Sequence, residues 1–244
     1  MDTPVVDTPA AQDFMSEIHA RLDPHEIAAM TADLAAKSHE VRTMLPRGRS
    51  HVDPEELRWL LRSCFPSRRR AAAILEAVGA ERLSGAVIGL VHGDAGLEER
   101  VAGFEAALGG FPEVTVDLPW ELLHLARPEE YWLWTRWMWN PRTETGALRL
   151  VTVDDIDLFA ASPVETYQRV GLALAMVHGT ARAVDFVGDD PFGIDVFLAC
   201  VYGIYMYTVL RMRMTQEFNR IVPELPSLAR RLLGIHYREV RPCQ

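Results

Sequence analysis

The chain has 244 residues, 49% of them hydrophobic and 24% charged, a length and mixture that build a core without staples and exclude intrinsic disorder. Its formal charge of −9 repels phosphate backbones, so nucleic acid is not an expected partner. The cysteines Cys64, Cys200 and Cys243 are dispersed, with no CxxC pair and no secretory segment, which points to a reducing, cytoplasmic setting.

Residues 1–10 hold two Thr-Pro steps and little periodicity, which reads as a disordered leader before a single domain over 11–244. Phe14, Ile18 and Leu22 recur at helical spacing. Asp23-Pro24-His25-Glu26 then combines an N-cap, a proline at the first helical position and a capping glutamate, and the buried stripe behind it is Ile27, Met30, Leu34, Val41 and Leu45. Lys37, the sole lysine, is expected on the solvated surface of that helix, since charged side chains are mostly exposed. Asp53-Pro54-Glu55-Glu56 repeats the start signal ahead of Leu57, Leu60, Leu61 and Cys64. Gly85, Gly89 and Gly93 fit a closely packed helix, and Leu97, Val101, Phe104 and Leu108 form the next amphipathic stripe before Gly109-Gly110.

Val114, Val116 and Leu118 alternate with polar residues, as do Leu148 and Leu150 ahead of Val151 and Val153; at most these make a minor two-stranded element. Ser162-Pro163-Val164-Glu165 is a capping box that launches a helix through Tyr167, Val170, Leu174 and Val177. Asp190-Pro191 launches the last long helix, whose apolar run from Val196 to Leu210 is interrupted only by Gly203 and Thr208. Fifteen residues at a rise of about 1.5 Å span roughly 22 Å, short of the ~30 Å hydrocarbon core of a bilayer. Such a helix belongs at the centre of a protein domain. The expected fold is therefore all-α, a compact multi-helix globular domain around a buried apolar central helix, with no membrane insertion.

Catalytic patterns are sparse. Glu121 and His124 form a Glu-x-x-His pair, half of a carboxylate-bridged dimetal site, but a second pair to complete it is absent. The other histidines stand singly, no Gly-x-Ser-x-Gly or phosphate-binding glycine loop occurs, and no metal or cofactor is expected. Asp154, Asp155 and Asp157 read as a solvated turn.

The segment Tyr131 to Trp139 holds four of the six tryptophans. On a helix, Trp132 and Trp139 fall within about 20° of each other and Trp134 and Trp137 lie on the opposite side. Either the segment is sandwiched between layers, or one pair faces a partner, with Arg136 and Arg142 as polar anchors. Arg211 and Arg213, interleaved with Met212 and Met214, extend that candidate surface. The alternative is an enzyme or carrier with an aromatic or apolar small molecule in a Trp/Tyr-lined pocket, using Glu121, His124, Tyr202 and Tyr205.

YWLWTRWMWNPRTETGAL (131–148) and DVFLACVYGIYMYTVLRMRMTQEFN (195–219) together resemble a cytoplasmic accessory protein of the sulfur-oxidising heterodisulfide-reductase-like system. The resemblance covers under a fifth of the chain. It implies a non-catalytic accessory or scaffold subunit that binds proteins of a redox complex; this chain lacks the cysteine spacing to ligate an iron–sulfur cluster itself. Homo-oligomerisation stays open at this level.

Overall fold

In the computed structural model the backbone is described for residues 5–213 and 224–235, with side chains for 5–208 and 224–235. In chain order the helices are α1 (Thr8–Arg21), α2 (Pro24–Met44), α3 (Pro54–Ser63), α4 (Ala71–Val78), α5 (Ala80–His92), α6 (Leu97–Ala107), α7 (Pro112–Thr115), α8 (Leu118–Ala126), α9 (Pro163–Ala183), α10 (Gly193–Arg213) and α11 (Leu225–Leu232), with a 3-10 turn at Leu148–Leu150. The fold is all-α, as the periodicity requires.

The start signals work as chemistry. Asp23 Oδ1 accepts the His25 N–H at 2.7 Å, the Asp53 N–H donates to Glu56 Oε2 at 3.1 Å, and Ser162 Oγ accepts the Glu165 N–H at 3.1 Å. Each contact satisfies an amide that helix geometry leaves without an intrahelical partner. Asp190 does the same for α10, its Oδ1 accepting the N–H groups of Phe192 and Gly193, both at 2.9 Å.

α10 is the axis of the core. Ile194 and Val196 through Val201 are buried on every side, and α1, α2, α9 and α11 pack around the helix. Enclosure loosens further along, where Tyr202, Tyr205, Met206 and Tyr207 are half-buried and Thr208 is exposed. α11 crosses at Gly203, where an added Cβ would stand 2.5 Å from Leu225 Cδ1. Among the described residues no helix is long and apolar enough to cross a membrane.

Four expectations change. Residues 5–10 are structured: the Val153 N–H donates to Val5 O at 3.1 Å, the Asp7 N–H donates to Val151 O at 3.1 Å, and Asp7 Oδ1 caps α1 through the Ala10 N–H. Val114 belongs to a helical turn, because Pro112 opens α7 and the N–H groups of Val114 and Thr115 both return to Phe111 O. The β content among the described residues reduces to isolated bridges, Val6 to Thr152 and Asn140 to Thr145. The tryptophan segment is not a helix: residues 131–139 run as irregular chain and turns. The fourth change concerns Lys37, which is buried at 6% exposure.

Candidate functional site

The long irregular stretch between α8 and α9 is folded onto the core by its own aromatic rings. Trp120 of α8 stacks on Tyr167 of α9 with centroids 4.3 Å apart, Trp134 packs against Trp120 at 5.5 Å, and Trp134 Nε1 donates to Trp139 O at 3.0 Å. Trp134, Trp137 and Trp139 are 4%, 5% and 2% exposed. Of the predicted aromatic surface only Trp132 is half-buried, with its ring 5.7 Å from His178. These rings form core rather than an open face, though not on a helix held between two layers.

The arginines expected as anchors fare differently. Arg136 turns inward on Asp117, with Nε to Oδ2 at 3.0 Å and its backbone N–H to Oδ1 at 3.0 Å, and also donates to Glu113 O at 2.6 Å. Burial pushes the Asp117 carboxyl up to about 6, against the pull of Arg136. Arg142 is exposed at the 140–145 turn. The side chains of Arg211 and Arg213 lie outside the described residues.

Glu121 and His124 share α8 but serve separate contacts. Glu121 Oε1 accepts from Lys37 Nζ at 3.0 Å, and Oε2 accepts the Phe65 N–H at 3.2 Å; Lys37 also donates to Leu233 O at 2.9 Å. The lysine ammonium thus joins α2, α8 and the end of α11, and the Glu121 carboxylate adds the chain just past α3. Burial, followed by the nearby Glu121 charge, pushes the adjacent Cys64 thiol well above its ordinary value, so this thiol is inert. Cys200 is likewise pushed up by burial, to about 12.

His124 is enclosed between Tyr131 and α10. Its Nδ1 stands 2.7 Å from Tyr131 O, its Nε2 stands 2.8 Å from Asp195 Oδ2, and Phe192 meets the ring edge-on at 5.4 Å. Nε2 and Asp195 Oδ2 face each other as a buried pair, and Asp195 Oδ1 meets no donor among the described residues. A carbonyl only accepts, so Nδ1 carries a proton, and Nε2 facing a carboxylate requires a second proton between them. Burial disfavours the imidazolium, but Asp195 and the Tyr131 carbonyl outweigh it and raise the His124 pKa; burial also raises Asp195, against His124. Both shifts have one consequence, that the pair keeps its shared proton.

Tyr202 and Tyr205 meet each other at 6.2 Å, and Tyr202 meets Trp137 at 6.1 Å, while Glu121 and His124 are tied to other partners. No group of three or more metal-ligating side chains occurs among the described residues. A groove of about 350 Å³ lies between α2 and the 186–193 turn, lined by Ile27, Ala28, Ala35, Phe186, Val187 and Asp190 among others. It is apart from every predicted site residue.

Three features escaped the sequence reading: Lys37 as a core residue, Asp195 as the partner of His124, and the outer face of α9. There Leu172 and Met176 are 59% and 42% exposed, and Phe159 and Val184 beside the helix ends are 56% and 49% exposed. The signal was present. Leu172 and Met176 lie about 180° around the helix from the buried stripe of Tyr167, Val170, Leu174 and Val177, so α9 is apolar on two opposite sides. No family model matches the chain, and no curated protein or solved structure matches it either.

Proposed function

We propose that this chain is a non-catalytic subunit that works by binding protein, an accessory or scaffold component whose contact surface is the outer face of α9. One observation carries the reading: Leu172 and Met176 expose large apolar side chains on α9, and Phe159 and Val184 do so in the chain just before and after it. Scattered apolar residues are ordinary on a protein surface, whereas a cluster marks a place where something docks. The groups with chemistry support the same reading from inside, because Lys37, Glu121, His124 and Asp195 are buried and engaged with one another or with backbone. The resemblance of 131–148 and 195–219 to an accessory protein directs the search for partners to a cytoplasmic redox assembly of the sulfur-oxidation type.

The test is affinity purification of the tagged chain from its native host, mass spectrometry of what accompanies it, and reconstitution from purified components. A defined partner is expected with the wild type and is expected to be lost with Leu172→Glu/Met176→Glu, whose helical circular dichroism should be unchanged. If nothing reconstitutes, or if the double variant keeps every partner, the proposal fails.

A further inference from the structure

We draw no further inference here: the strongest candidate, the apolar patch that Leu172 and Met176 of α9 form with Phe159 and Val184 in the chain just before and after it, carries nothing beyond the protein-binding role already proposed, because nothing in the structure shows what covers it.

Discussion

Lys37 and Glu121, 84 residues apart in sequence, form a buried ion pair with Nζ 3.0 Å from Oε1 and 6% and 4% of their side chains exposed. Removing one member leaves the other charged in the interior, which typically costs about 3–5 kcal/mol. Lys37→Met is expected to lower the unfolding free energy by about that much. In Lys37→Met/Glu121→Gln the glutamine still accepts the Phe65 N–H, so the double variant should be more stable than the summed single losses by about 1–3 kcal/mol. Urea unfolding of the four proteins measures this coupling, and additive losses would show that the pair does not act as a unit.

The His124–Asp195 pair separates charge from packing. His124→Ala removes a ring that is fully buried and leaves the Asp195 carboxylate alone, a loss again of about 3–5 kcal/mol. Asp195→Asn should cost clearly less, because neutral His124 keeps its Nδ1–H on Tyr131 O and its Nε2 accepts from the new amide. Equal losses from the two variants in denaturant melts would contradict the proton assignment.

The same pair gives stability a direction with pH. The folded-state pKa of His124 is raised above its ordinary 6.5, so the folded protein binds the shared proton more tightly than the unfolded chain does. Its stabilisation is complete below about pH 6.5 and is lost as the pH rises through the folded value, with a slope of at most about 1.4 kcal/mol per pH unit. The raised carboxyl of Asp195 acts in the same sense. Unfolding free energy should therefore fall from pH 6.5 upward in the wild type. The fall should be smaller in Asp195→Asn; an identical pH profile in the two proteins would assign the dependence to other groups.

What could be read from sequence was what is local. Asp23, Asp53 and Ser162 announce helix starts because a cap acts within three residues, and the stripe of Tyr167, Val170, Leu174 and Val177 is buried as its spacing requires. Lys37 was not legible, because its partners Glu121 and Leu233 lie in distant parts of the chain and only the tertiary fold brings them together. The tryptophan segment misleads for another reason. A helical period places rings on opposite sides, but residues 131–139 are irregular chain whose rings turn into the core against Trp120 and Tyr167. α9 shows the remaining limit: hydrophobic pattern gives two apolar faces, and nothing local says which of them the domain covers.

Gly146 fixes the turn that folds the tryptophan segment back on itself. The N–H groups of Ala147 and Leu148 donate to the carbonyl oxygens of Trp137 and Met138 at 3.0 and 2.9 Å, and Gly146 enters that return with φ of 142°, a backbone that side chains disfavour. A Cβ there would collide with the Met138 carbonyl and stand 2.8 Å from Trp139 Cα, so the relief available is movement of the backbone that carries the buried rings. Gly146→Ala should accordingly destabilise by more than the roughly 1 kcal/mol of a typical substitution and shift tryptophan emission to the red as Trp137 and Trp139 become wetter. Gly85, exposed within α5 with open space around its Cα, provides the contrast: Gly85→Ala should stabilise by about 0.5–1 kcal/mol through helix propensity alone, with emission unchanged. Equal effects of the two alanines in thermal melts and emission spectra would mean that the turn at Gly146 does not hold the aromatic core in place.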